Sequence, residues 1–284
     1  MTFTTTATIA NFGGKLLKLS HQAESTGCEM KLNLFLPHQA TSSTPVPVLF
    51  FLSGLTCTGD NCAEKGFFQP AAARHGLAVV YPDTSPRGLG HDGEDAAYDF
   101  GTGAGFYVDA TREPWRRGYR MASYVADELP RALGAAFDVL DTARMGLTGH
   151  SMGGHGALTL FLKHPGRYRS VSALSPIANP TQCPWGRKAF AGYLGDDEAT
   201  WAAHDATVLV PGFPHDTDIL IDVGLGDNFY QQGQLLPENF AAAASGAGKK
   251  VVVNYREGYD HSYFFISTFA ADHVDHAAKY LLAE

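Results

Sequence analysis

The chain has 284 residues, 45% hydrophobic and 18% charged, with a net charge of −8 at pH 7. That composition fits a globular protein with an ample core, and the lack of any basic cluster argues against a nucleic-acid partner. No segment approaches the roughly 20 apolar residues of a membrane span, and Cys28, Cys57, Cys62 and Cys183 show neither zinc spacing nor a disulfide framework.

Residues 1–6 lack the basic-then-apolar pattern of a secretion signal, so a reduced, cytoplasmic setting is expected. Residues 5–36 read as antiparallel strands that turn at Asn11-Phe12-Gly13-Gly14. After a polar loop, residues 46–52 form a continuous apolar run, a buried central strand with Pro47 at its start. It runs out into Ser53-Gly54-Leu55-Thr56-Cys57-Thr58, and a helical stretch then ends at Gly76 as a C-cap. Residues 77–81 are the next strand. Residues 84–119 form a long glycine-rich loop, read either as an ordered surface excursion or as an active-site wall. Its aromatics, Tyr98, Phe100, Phe106, Tyr107 and Trp115, argue that it packs. Residues 120–137 read as a helix broken at Pro130.

Next come a short strand at 144–148, Gly149-His150-Ser151-Met152-Gly153, and a helix. Strand, G-x-S-x-G, helix is the context of a nucleophile elbow. The turn is so tight that residues two before and two after the serine must be small. The helix aims its amino terminus at the place where negative charge develops. Beyond it lie a strand at 170–174, a small helical cap at about 177–210, a strand at 218–223, a helix at 235–245, a strand at 250–255 and a closing helix at 262–282. The alternation predicts a single α/β domain, a mainly parallel, doubly wound sheet with antiparallel N-terminal strands.

Catalytic groups of such sheets gather at the carboxyl ends of the strands. Asp227 and His261 each sit just past a strand, and Ser151, Asp227, His261 is the chain order of this kind of triad. His261 would take the serine proton and Asp227 would orient the imidazole. The simpler alternatives are a turn-forming Asp227 and a helix-starting His261, with Asp222 a rival acid inside its strand. His150 reads as a packed or hydrogen-bonding neighbour of the serine. His273 and His276, spaced i, i+3, could hold a metal, but a solvated helix face is the preferred reading. No metal or cofactor is expected.

Several longer blocks are more specific than the elbow. They are Leu52-Ser53-Gly54-Leu55-Thr56-Cys57-Thr58, Pro82-Asp83-Thr84-Ser85-Pro86-Arg87-Gly88, Asp99-Phe100-Gly101-Thr102-Gly103-Ala104-Gly105-Phe106-Tyr107, Gly153-Gly154-His155-Gly156-Ala157, Cys183-Pro184-Trp185-Gly186 and Glu257-Gly258-Tyr259-Asp260-His261-Ser262-Tyr263. Through them the chain resembles the S-formylglutathione hydrolases, the esterase D family of serine hydrolases, over nearly its whole length. The resemblance implies an α/β-hydrolase fold and hydrolysis of a small-molecule thioester, S-formylglutathione, with side activity on small-acyl esters. It also implies a cytoplasmic homodimer. Ser151, Asp227 and His261 would be its triad, and the backbone N–H groups of Leu55 and Met152 its oxyanion hole. Cys57, Trp185 and His150 are the pocket candidates. Gly59 and Cys62 depart from the family pattern, which has an acidic residue and Phe there.

The residues alone reach only a serine hydrolase acting on an acyl group. A general short-chain carboxylesterase or an acyltransferase on the same fold shares that triad, and a non-catalytic binding module would lack part of it. An anionic substrate needs local positive charge, for which Lys65, Arg87, Arg112, Arg116, Arg117, Arg187 and Lys188 are candidates.

Overall fold

A computed structural model describes residues 2–216 and 218–283. Within them β1 Thr4–Asn11, β2 Gly14–Gln22, β3 Glu29–Leu36, β4 Val46–Leu52, β5 Ala78–Pro82, β6 Leu140–His150, β7 Tyr168–Leu174, β8 Ile219–Gly224 and β9 Val251–Arg256 form one sheet, ordered β1-β2-β3-β5-β4-β6-β7-β8-β9. The pairs from β1 to β3, and β3 with β5, are antiparallel; from β5 across to β9 every pair is parallel. The helices are α1 Gly59–Lys65, α2 Phe68–His75, α3 Met121–Ser123, α4 Leu129–Ala136, α5 Met152–Lys163, α6 Pro184–Leu194, α7 Ala206–Leu209, α8 Asn228–Gln231, α9 Pro237–Gly246 and α10 Tyr263–Leu281. None is long and apolar enough to cross a membrane.

The apolar run of β4 follows from burial on both faces. Its pleat sends Leu49 and Phe51 into one apolar layer with Phe68, Phe265 and Ile266. Val48, Phe50 and Leu52 enter the other layer, with Leu158 and Phe161. Helices on both faces leave the carboxyl ends of the parallel strands open at one edge, and every candidate catalytic residue lies there.

Local sequence rules need correction at two points. The break expected at Pro130 lies upstream of it: Tyr124–Glu128 is a π turn, and Pro130 occupies the first turn of α4. Pro130 offers no N–H to the carbonyl four residues back, Ala126 O, but Arg167 Nη1 donates to that oxygen at 2.6 Å. The wider turn, closed by the Leu129 N–H on Tyr124 O, lets the helix pass through without stopping.

The closing helix does not present a solvated histidine face either. His273 is fully buried, with Nε2 at 3.1 Å from Asp222 Oδ2, while Arg256 Nε donates to Asp222 Oδ1 at 3.0 Å. Burial alone would push the Asp222 carboxyl up, but His273 and Arg256 outweigh it and hold it below the usual carboxylate range. His276 meets the Val171 carbonyl through Nε2 at 3.1 Å. This cluster ties β8, β9 and α10 together. Among the described residues no three metal-ligating side chains converge.

Candidate active site

β6 ends at His150 and α5 begins at Met152, which leaves Ser151 alone in the turn with φ 59° and ψ −120°. A side-chain-bearing residue held there costs about 1–3 kcal/mol, so its surroundings must hold it. The Ser151 N–H donates to Leu174 O at 3.0 Å, and its carbonyl accepts from His155 N–H at 3.0 Å and Ile177 N–H at 3.2 Å. The glycines are steric necessities: a Cβ on Gly153 would lie 1.9 Å from Leu52 O, and one on Gly149 2.2 Å from Gly153 O.

The loops after β8 and β9 carry the other two residues and are stitched together. Leu225 N–H donates to Arg256 O at 3.0 Å and Gly226 N–H to Tyr259 O at 2.8 Å. Asp227 is fully buried and caps α8, its Oδ1 accepting from Phe229 N–H at 2.8 Å and Tyr230 N–H at 3.3 Å. Its Oδ2 lies 2.5 Å from His261 Nδ1. One carboxylate thus does both jobs that the sequence left open, forming the turn and orienting the imidazole. A carboxylate oxygen only accepts, so His261 Nδ1 is the donor of this bond. The rival Asp222 is committed to Arg256 and His273. The His261 ring sits between His150 and Phe229, with centroid distances of 4.3 and 4.9 Å. Burial, and then the proximity of His261, push His150 well below the ordinary histidine value, so it stays neutral beside His261.

Ser151, His261 and the three pocket candidates Cys57, Trp185 and His150 line one cavity of about 250 Å³. Tyr98, Phe229 and Tyr263 complete its aromatic wall. Trp185 is fixed at both ends: Nε1–H donates to Tyr98 Oη at 3.2 Å, and its backbone N–H to Gln234 Oε1 at 3.0 Å. Phe229 and Tyr263 escaped the sequence reading, although each stands two residues beyond a triad candidate. That adjacency was the available signal. Tyr98 lies on the 84–119 loop, for which an active-site wall was one of the two expected readings.

Leu55 also lines the cavity, and Met152 is the buried first residue of α5. Among the described residues neither backbone N–H donates to another backbone group. The Leu55 segment is braced by the long loop. Thr56, at φ 67°, donates its N–H to Gly103 O at 2.9 Å. Tyr107 Oη donates to Ser53 O at 2.9 Å, Thr84 Oγ1 to Cys57 O at 2.5 Å, and Arg87 Nη2 to the same oxygen at 3.2 Å. Cys57 is half-buried with Sγ 3.9 Å from Tyr263 Oη, and burial pushes its thiol up, away from the reactive thiolate.

The comparisons with known proteins point to one family. The esterase family model matches residues 23–276. The chain is 55% identical to the S-formylglutathione hydrolase of Mus musculus over 96% of both chains, and 48% identical to that of Arabidopsis thaliana over 95% of both. The solved S-formylglutathione hydrolase from Agrobacterium tumefaciens superimposes with a TM-score of 0.94 at 43% identity, covering 98% of this chain and 99% of the other. The chain belongs to the S-formylglutathione hydrolases.

The two departures from the S-formylglutathione hydrolase pattern fit their surroundings. A Cβ on Gly59 would lie 2.3 Å from Tyr81 O, so the first position of α1 has no room for a side chain. Cys62 is buried, and Gly66 packs so closely on it that a Cβ at 66 would lie 2.3 Å from the sulfur. The candidate cations are mostly spoken for. Arg87 pairs with Asp83, Arg112 with Asp196, Arg116 and Arg117 with Glu113, Arg187 with Glu198 and Lys188 with Asp99. None of them lines the cavity.

Proposed function

We propose that the chain hydrolyses S-formylglutathione to glutathione and formate through a formyl-enzyme on Ser151, with side activity on small-acyl esters. His261 Nε2 takes the Ser151 proton as Oγ attacks the formyl carbon. The carbon–sulfur bond then breaks, and His261 returns the proton to the departing sulfur. Water repeats the sequence: His261 deprotonates it, it adds to the formyl carbon, and Ser151 leaves reprotonated with formate as product. Asp227 keeps the imidazole oriented and stabilises its charged form. The N–H groups of Leu55 and Met152 are the donors for the tetrahedral oxyanion.

One observation carries the reading: a serine in a strained elbow shares a small, aromatic-walled cavity with a histidine bonded to a buried carboxylate. A formyl group suits so small a space. The four unpaired cysteines support a reducing, cytoplasmic setting. The homodimer implied by the family is tested by sedimentation at working concentration.

The deciding experiment compares kcat/KM for the S-formyl, S-acetyl and S-butyryl thioesters of glutathione, each divided by its uncatalysed hydrolysis rate. The expected order is formyl, acetyl, butyryl, with a steep fall. A corrected preference for butyryl would leave a general esterase and remove the formyl assignment.

A further inference from the structure

A second cleft, of about 500 Å³, lies over β1, β2 and β3 and shares no lining residue with the cavity around Ser151. The strand ladder fixes which side chains face it. Lys18 of β2 stands opposite Asn33 of β3, and Ser20 opposite Lys31. Lys18 Nζ and Asn33 Nδ2 each donate to Asp60 Oδ1 at 2.9 Å, so both side chains point at α1. Residues two apart on a strand share a face, so Ser20 and Lys31 point the same way. Opposed Cβ atoms lie about 4.5–5.5 Å apart, which sets the Ser20 hydroxyl beside the Lys31 stem. The segment after β5 supplies another wall. Asp83 N–H donates to Lys31 O at 3.2 Å, and Arg87 grips the Asp83 carboxylate through Nε and Nη2, each at 2.8 Å. Lys31, Asp83 and Arg87 also line an adjoining hollow of about 220 Å³, so they stand where the two meet.

Much of the polar lining is satisfied within the protein. Lys18 is spent on Asp60 and Glu64, both Asp83 oxygens on Arg87, and the Thr58 hydroxyl on Asp60 N–H. Asn33 Oδ1 is an orphaned acceptor, but it is sealed from solvent. What remains is all donor. Lys31 is exposed and, among the described residues, in no ion pair. Arg87 uses Nε and Nη2 for its bonds to Asp83 and Cys57 O, which leaves Nη1 free. Ser20 is only 5% exposed, yet its hydroxyl has no partner among the described residues. A hydroxyl buried to that degree ordinarily has one. An ammonium, a guanidinium N–H edge and a hydroxyl thus face one cleft from two strands and a loop, with no carboxylate left over to answer them. The group that completes such a set is an acceptor with negative charge. The volume of the cleft is in the range that holds a whole metabolite-sized molecule.

We propose that this cleft is a second binding site, for a small molecule carrying an oxyanion group, phosphate or carboxylate, held by Lys31, Ser20 and Arg87 Nη1. The site takes no part in bond making and holds whichever acyl group Ser151 accepts. It adjoins the catalytic apparatus through its walls: Thr58 and Gly59 line it directly after Cys57, and Arg87 braces the Cys57 carbonyl.

The test is calorimetric titration of the whole protein with inorganic phosphate, with citrate and with neutral glycerol. At least one anion should bind saturably and glycerol should not; which anion binds tells a phosphoryl ligand from a carboxylate. Lys31→Ala and Ser20→Ala should each raise the dissociation constant about five- to tenfold, the effect of losing one charge-assisted contact. Lys31→Glu should abolish binding, and added salt should weaken it in the wild type. Lys31 is exposed, so its variants keep the fold, which circular dichroism checks. Lys15 lines neither hollow, and Lys15→Ala is the control for net charge. The anion should also leave KM for 4-nitrophenyl acetate unchanged, because the two sites are distinct. No saturable binding of either anion, binding as tight in Lys31→Glu and Ser20→Ala as in the wild type, an equal loss in Lys15→Ala, or simple competition with the ester would overturn the assignment.

Discussion

At the scale of single residues, the site depends on a division of labour within one buried carboxylate. Asp227 Oδ1 is spent on two backbone N–H groups and Oδ2 on His261. An amide at this position keeps only one good acceptor oxygen and cannot stabilise the imidazolium. Asp227→Asn should therefore lower kcat/KM by roughly 10⁴-fold. Ser151→Ala and His261→Ala should each cost at least as much, with circular dichroism and thermal unfolding near those of the wild type. Because the groups act as a unit, the double variant Ser151→Ala/His261→Ala should be scarcely worse than either single one. Losses that multiply in the double variant would mean that serine and histidine work independently.

At the scale of elements, the elbow is where backbone meets backbone with no room to yield. A methyl group at 153 would lie 1.9 Å from Leu52 O, an atom of the central strand. Gly153→Ala should then destabilise the fold by at least about 3 kcal/mol, read as a shifted urea midpoint, and should abolish turnover in whatever remains folded. The elbow was readable in the chain because its constraint is local: five residues specify the turn, and the strand and helix flank it directly. The central strand was equally plain, since burial on both faces leaves a run with no polar interruption. Elsewhere the deciding partner lay far away in sequence. The helix survives Pro130 because Arg167 takes over the orphaned carbonyl of Ala126. His273 looked like a surface residue because nothing near it announces Asp222. The seven candidate cations could not be sorted until their carboxylate partners were in view, and Tyr98 reaches the cavity only because its loop folds back over the Leu55 segment.

At the scale of the whole molecule, several histidines are folded in as neutral groups, and this sets the acid limit of the fold. Burial lowers His155, His204 and His276 to about 4. In the unfolded chain each takes up its proton near pH 6.5, so between about 6.5 and 4 the unfolded state carries more protons. Stability is therefore at its full value above that window and falls as the pH falls through it. For the fully buried His155, whose Nε2 donates to Phe106 O at 3.0 Å, the loss amounts to about 3 kcal/mol across the window. Unfolding midpoints measured from pH 7.5 to 4.5 should decline with that slope, and His155→Gln should flatten the decline; an unchanged slope in the variant would remove His155 as its source. The stitched exits of β8 and β9 act on another property, the way the site comes apart. Leu225 is bonded to Arg256, Gly226 to Tyr259 and Asp227 to His261, over a floor in which Asp222 holds Arg256 and His273. The backbone bonds between the two loops couple them, so they are expected to open as one cooperative unit, separate from the serine on its elbow. Amides on both loops should then exchange with solvent as a single event, which hydrogen-exchange measurements on residues 225–227 and 256–261 would check.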